Sequence, residues 1–466
     1  MAGLGVVTRR RAIQASPVQG DYIRFADPVA KKLCIDNFSS DGIGLTPEDA
    51  AAVTSIGLVF AGNKELVSFD EFIYFTSVTS ISTGADAVSG GAFANCTALK
   101  SISLPNSLRE IRPFSFYACE ALESINLNNE YITLIGNEAF KSCEKMQVDI
   151  NLPNLQVLGS RVSADVFMYS GIVSITSLGV ITRIWGYGPS VHGTFLGCEN
   201  LTKAVLPQTL TIIGGRAFQD CTQLSELNIP ISVTTIEEQA LDNCTSLILQ
   251  ELITPNLEVI RSASLRGVRV KKWLDMGKIT SLSLAGIVKE YLEELVIPNT
   301  VTQLPNAVLN GYTSLISISI DWGQITMVGS NAIKEVPAFT NSELVISNLA
   351  SASAYAFNGS LVKSIDLTDS PITSISRIFE VCPNLITIKL PKVTTSIGAY
   401  MMRASLKVET LIVPTNIPPT LDSSALDQTS SIYTIYVPDE SVESYKAATN
   451  WSSVASRIKP YSEYVE

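Results

Sequence analysis

Bulky apolar residues recur along this chain at a fixed step, with polar residues between them. Over residues 194–247, Cys198, Cys221 and Cys244 follow one another every 23 residues, and Phe195, Phe218 and Leu241 keep the same step three places earlier. Leu201, Leu224 and Leu247 come three places after each Cys, and the apolar run that follows ends in Pro207 and Pro230 in the first two units. A period between about 20 and 50 residues marks stacked coils, because a unit of that size cannot bury its apolar face alone. Polar and apolar residues alternate within the units, as in Ser317-Ile318-Ser319-Ile320, Ser364-Ile365-Asp366-Leu367 and Thr387-Ile388-Lys389-Leu390-Pro391. Each unit therefore supplies a short half-buried strand, and proline ends it because it has no N–H to give to the ladder.

The pattern extends both ways from this stretch. Phe93 and Cys96, Phe116 and Cys119, and Phe140 and Cys143 are earlier copies, and Phe167 with Ser170 takes the same places with Ser for Cys. Steps of 27 and 28 residues separate Phe140, Phe167 and Phe195, so the surplus must leave the coil as loops. The second surplus, residues 185–193, sets Trp185, Tyr187 and His192 among glycines and is a candidate ligand-contact loop, since an aromatic side chain can anchor a partner on a repetitive surface. After Cys244 the Phe/Cys pair fades, but strands continue to Pro438. The expected organisation is a basic flexible or docking arm at 1–20, a helix-loop-helix N-terminal cap at 21–57, a solenoid at 58–438 and a C-terminal cap at 439–466.

Asp27 before Pro28 and Thr46 before Pro47 are N-cap residues followed by proline at the first helical position. Val29, Leu33 and Cys34 then keep helical spacing, and Asp49 closes a capping box on Thr46. The loop between these helices is a worn version of a calcium loop. With Gly42 as its sharp turn, Asn37, Ser39, Asp41 and Glu48 fall at ligand places, but Gly44 stands where an apolar residue belongs; with Gly44 as the turn, Ile43 falls where oxygen is needed. No metal site is expected there, and the loop reads as closure of the first coil. Residues 439–448 read as a helix with its acids at the positive end, after which Trp451 covers the last coil.

Ile135-Gly136-Asn137-Glu138-Ala139-Phe140-Lys141-Ser142-Cys143 and Ile213-Gly214-Gly215-Arg216-Ala217-Phe218-Gln219-Asp220-Cys221-Thr222-Gln223-Leu224 resemble the coil of the BspA-like leucine-rich repeats. The resemblance covers about 80% of the chain. It is weakest over residues 249–356, where Ser264-Leu265-Arg266-Gly267 and Val308-Leu309-Asn310-Gly311 replace the Phe-x-x-Cys element. It implies an α/β repeat, an elongated leucine-rich-repeat solenoid with short parallel strands and helical N-terminal and C-terminal caps. Such proteins occur in gut bacteria and their phages, and the resemblance implies a non-enzymatic, surface-exposed binding or adhesion protein for a protein or glycan. It implies no cofactor, and a place on a virion surface or on a bacterial cell surface.

Composition narrows the chemistry. Hydrophobic residues make up 46% against 17% charged, which supports a continuous core, and the formal net charge of -11 gives no excess of Lys and Arg for a nucleic-acid backbone. No apolar run approaches the roughly 20 residues that span a bilayer, so membrane insertion is not expected. Arg9, Arg10 and Arg11 follow a short apolar start, the reverse of the order in a secretory signal. They read as a docking arm for an acidic partner such as other virion proteins; the alternative is a secreted adhesin without its signal. A single histidine and eight cysteines without a Cys-x-x-Cys pair leave no expected catalytic, metal or redox motif. The cysteines read as free thiols that fill space in the core.

Overall fold

The computed structural model describes residues 22–81, 90–127, 130–160, 164–186, 193–284, 286–429 and 433–465. They form a solenoid of about 15 turns. Two ribbons of short parallel strands run along it. The first contains Ser101–Ile102, Ser124–Ile125, Lys203–Ala204, Glu226–Leu227, Thr387–Lys389 and their equivalents, in sheets of three, four, four and six strands. The second contains Glu110–Ile111, Leu134–Ile135, Ile212–Ile213, Thr235–Ile236 and their equivalents. Register joins like to like, with Ser68 beside Ser101 beside Ser124 in the first ribbon and Ile213 beside Ile236 beside Ile260 in the second. Equivalent side chains of successive coils therefore stack, and the inward ones meet in the core.

The third side of each coil is a run of turns, and it too is hydrogen-bonded from coil to coil. The residue before each Cys place has positive φ, at 59° for Asn95, 54° for Ala118, 60° for Ser142, 67° for Gly197 and 60° for Asp220. In that conformation the N–H points along the solenoid axis: Asn95 donates to the Tyr117 carbonyl at 2.7 Å, Ala118 to Lys141 at 2.9 Å and Asp220 to Asp242 at 2.9 Å. The left-handed backbone costs each non-glycine residue some strain, which its hydrogen bond to the next coil helps to offset.

Inside these three walls, Phe93, Phe116, Phe140, Phe167, Phe195 and Phe218 form one column. Neighbouring ring centroids are 5.1–5.6 Å apart and the planes lie within 14° of parallel. All six rings are buried, and each such burial contributes about 1.5–3 kcal/mol.

At the start of the chain, α1 (Pro28–Phe38) and α2 (Pro47–Ala52) stand where the sequence predicts helices, and Thr46 and Asp49 form the capping box. Asp27 both caps α1 and ties it to the first coil. Its Oδ1 accepts Val29 and Ala30 N–H at 2.7 and 3.1 Å, and its Oδ2 accepts Val67 and Ser68 N–H at 2.7 and 3.1 Å. Phe38 packs edge-on against Phe75, with ring centroids 5.6 Å apart. At the other end α3 (Val442–Ala447) begins later than the predicted 439–448, because Asp439–Ser441 form a tighter 3-10 turn. Trp451 is buried against Tyr445 and donates its Nε1–H to the Pro419 carbonyl at 2.8 Å. Among the described residues no helix is long and apolar enough to cross a membrane.

Candidate functional site

Most of the residues that make the repeat visible are committed to the core. Cys96, Cys119, Cys143, Cys198, Cys221 and Cys244 are buried and free, and so are Cys34 and Cys382. The thiols form a ladder beside the phenylalanines. Cys119 donates to the Phe93 carbonyl at 3.0 Å, Cys143 to Phe116 at 3.2 Å, Cys198 to Phe167 at 3.1 Å, Cys221 to Phe195 at 3.1 Å and Cys244 to Phe218 at 3.1 Å. Ser405 does the same to Phe379 at 2.6 Å, so the place selects a small side chain with a hydrogen to donate. Burial pushes the Cys143, Cys198 and Cys382 thiols up to about 12, which keeps them protonated and unreactive.

The predicted contact residues fall in two groups. Trp185 is half-buried on the second ribbon's side, and its ring is stacked on the Arg183 guanidinium at 4.6 Å. Arg183 is ion-paired with Glu237 at 2.8 Å, which fixes the group under the indole, and Thr194 Oγ1 donates to the Trp185 backbone carbonyl at 2.9 Å. Tyr187 and His192 lie outside the described residues, as do Arg9, Arg10 and Arg11. In the loop after α1, Asp41 spends its oxygens on the Tyr22 hydroxyl at 2.6 Å, the Ser39 hydroxyl at 2.9 Å and the Ile43 and Gly44 N–H groups at 2.7 and 3.2 Å. The Tyr22 hydroxyl, the first of these, holds its carboxyl well below the ordinary value. Asp41 thus organises the turn and faces its own loop.

A concave surface lies elsewhere, on the first ribbon near the C-terminal end. Strands Glu343–Val345, Ser364–Asp366, Thr387–Lys389, Thr410–Ile412 and Thr434–Val437 pair in register, so that Val345, Asp366, Lys389, Ile412 and Tyr436 form one outward row across successive coils. The first four of them, with Ser347, Thr368, Pro414 and Pro438 on the following turns, line a groove of about 670 Å³. Asp439, Glu440 and Tyr461 close its far end.

The charges in this groove are mostly paired with one another. Lys389 Nζ is 3.4 Å from Asp366 Oδ2, and Asp366 Oδ1 accepts the Thr368 N–H at 2.9 Å. Lys392 Nζ is 2.9 Å from Asp369 Oδ1 at the rim. Asp439 Oδ1 accepts the Ser462 N–H at 2.9 Å, a bond that holds its carboxyl below the ordinary value. Ile412 supplies a buried apolar floor, and Tyr461, 48% exposed as a residue, stands at the groove's end. The arrangement offers apolar surface, one aromatic face and an alternation of fixed acceptors and donors, which suits recognition. Among the described residues no group of three or more His, Cys, Asp or Glu stands close enough to hold a metal ion.

Sequence reasoning located these strands but not the groove. The signal is a column rather than a motif: the third position of the first-ribbon strands reads Ser103, Asn126, Val205 and Asn228 in early coils and Val345, Asp366, Lys389, Ile412 and Tyr436 in late ones. Aligning the coils by register exposes the change.

The model for the BspA type leucine rich repeat region matches residues 67–187, 191–283, 253–344, 288–376 and 326–453. No curated protein matches the chain. Among solved structures, a leucine-rich repeat protein from Bacteroides ovatus is similar at 20% identity, covering 85% of this chain and 88% of its own with a TM-score of 0.38. A leucine rich cell surface protein from Faecalibacterium prausnitzii is similar at 17% identity, over 83% of this chain and 84% of its own, with a TM-score of 0.30.

Proposed function

The chain belongs to the BspA type leucine rich repeat family, and from that premise we propose that it is a non-enzymatic binding protein that engages a protein or glycan at a cell surface through the groove on its first ribbon. The observation that carries this reading is the in-register row from Val345 to Ile412, closed at one end by Tyr461, which makes an open trough across several coils. An open trough admits an extended chain and lets affinity accumulate from many contacts. Residues 21–57 and 439–466 serve as caps of the 58–438 solenoid, and residues 1–20 as an arm whose three arginines dock onto an acidic partner. The binding face is carried on a bacterial envelope or on a virion; detecting the chain in purified phage particles assigns it to the virion.

Filling the trough tests the reading. Thr368→Trp places an indole in the groove, whereas Gln219→Trp places one on the turn side of a distant coil. Labelled Thr368→Trp protein is expected to lose binding to receptive cells while Gln219→Trp retains it, with unchanged circular dichroism for both. Equal binding by the two variants would remove the groove from the function.

A further inference from the structure

We propose that the occupant of this groove is an uncharged oligosaccharide segment; the inference rests on the groove being the binding site. Three observations select that chemistry. First, the ionic groups are already neutralised in pairs: Lys389 is 3.4 Å from Asp366, and Lys392 is 2.9 Å from Asp369. A charged ligand must break these pairs or meet the wrong member of each, and for an anion no unpaired lysine in the groove returns that cost. A sugar hydroxyl donates and accepts at once, so a carboxylate and an ammonium held side by side satisfy it without separating.

Second, the groups left over oppose an anionic ligand. Asp439 and Glu440 stand together at the closed end, and the groove contains four carboxylates against two lysines. Sialylated or sulfated chains are therefore disfavoured. Asp439 is also occupied by the Ser462 N–H at 2.9 Å, which weakens it as a receptor for a basic peptide.

Third, the wall and floor fit the two faces of a sugar ring. Tyr461 is 48% exposed at the end of the groove, and its ring contacts that of Tyr464 with centroids 5.7 Å apart and planes tilted by 33°. A tyrosine so placed gives an apolar stacking face with a polar edge at small conformational cost. The row of side chains across coils repeats at about 4.8 Å, the spacing of adjacent strands, and offers contacts along the length of a linear chain.

The test is calorimetric titration of the full chain. The probes are neutral hexasaccharides of β-1,4-glucose, α-1,4-glucose, β-1,4-mannose and N-acetylglucosamine, a sulfated hexasaccharide, hexalysine and a neutral Gly/Ser hexapeptide. At least one neutral saccharide is expected to bind. Tyr461→Ala should weaken it at least tenfold and Tyr461→Phe less than threefold, because the ring and not the hydroxyl does the stacking. Raising salt from about 0.05 to 0.5 M should change the affinity less than twofold, since an uncharged ligand has no ionic attraction to screen. Binding of none of the neutral saccharides, or a stronger and steeply salt-dependent affinity for hexalysine or the sulfated chain, overturns the inference. A peptide that binds and is lost in Tyr461→Ala removes the saccharide but keeps the groove as the site, whereas undiminished cell binding by Thr368→Trp removes both.

Discussion

Residues 92–247 and residues 343–461 carry the same first ribbon, yet its outward side is built differently in each. In the earlier stretch several of its polar groups are turned back on the solenoid. Asn126 accepts the Leu104 N–H at 2.6 Å and donates to the Leu104 carbonyl at 3.0 Å, and Asn228 does the same to Leu206 at 2.7 and 3.0 Å. Thr176 donates to the Ile150 carbonyl at 3.1 Å, and Ser103 to Asp70 at 3.3 Å. In the later stretch the same column carries Val345, Asp366, Lys389 and Ile412, and the ribbon is walled by Tyr461. A small side chain bonded to the preceding coil adds stability and offers little of itself to a partner. Larger side chains that bond sideways leave a trough between them. On the proposed reading the late coils present the binding surface, while the early ribbon, with Val205, the Lys203–Glu226 pair at 2.7 Å and a smaller groove of about 480 Å³, mainly holds the fold.

Substitutions should separate these two roles, and the largest effect belongs to the scaffold. Cys221→Arg places an unpaired charge between coils and is expected to cost more than about 5 kcal/mol, enough to unfold the neighbouring coils in a denaturant melt. Phe140→Ala opens a gap in the stacked column and should cost about 3–5 kcal/mol, with loss of cooperativity around residues 116–167. A cost below about 1 kcal/mol for Phe140→Ala would mean that the column fills space without holding the coils together.

Asp27→Asn tests the junction of α1 with the first coil. The amide nitrogen must face backbone donors on one side, so the substitution should cost about 2–3 kcal/mol. Burial raises the Asp27 carboxyl, but the Val67, Ala30, Ser68 and Val29 N–H groups together outweigh it and hold the carboxyl below its ordinary value. The stabilisation is therefore fully present above the unfolded value and is lost as pH falls through the lowered folded value. Wild type should lose its advantage over Asp27→Asn in acid melts across that window, and a constant difference down to the lowest pH would contradict the assignment.

Smaller effects follow. Cys221→Ala should cost about 1 kcal/mol and Cys221→Ser less, because serine keeps the donor as Ser405 does. Thiol titration near neutral pH should find at least six of the eight cysteines unreactive until denaturant is added, since burial raises them, Cys96 to about 11. At the groove, Tyr461→Ala should move stability by less than about 0.5 kcal/mol, which would mark the residue as one kept for contact.

How much of this was legible depended on which link of the chain of causes left a mark in the sequence. The Phe/Cys column is visible because both places demand particular shapes, and the capping box at Thr46 because backbone donors demand particular side chains. Residues 249–356 hid their register. There Leu265 with Val268, Leu309 with Tyr312, and Ile333 with Val336 fill the same core places, and burial accepts any apolar residue of suitable volume. What persists is the backbone, with positive φ at Gly267, Gly311 and Glu335 just before each of those second places. That left-handed step, taken by glycine at two places and by Glu335 at the third, carries the register where the cysteine is gone. The groove was hidden for another reason: it is made by neighbours about 23 residues apart, so no local motif records it.

The most direct measurement places a photo-cross-linking residue at Thr368 in the groove and, in a second protein, at Ser225 on the same ribbon in the earlier coils. Both are exposed to receptive cells and illuminated. We expect an adduct from position 368 that competes with unlabelled wild type but not with Thr368→Trp, and none from position 225. Adducts of equal yield at both positions, or an adduct at 225 alone, would contradict the division of the solenoid into scaffold and binding surface.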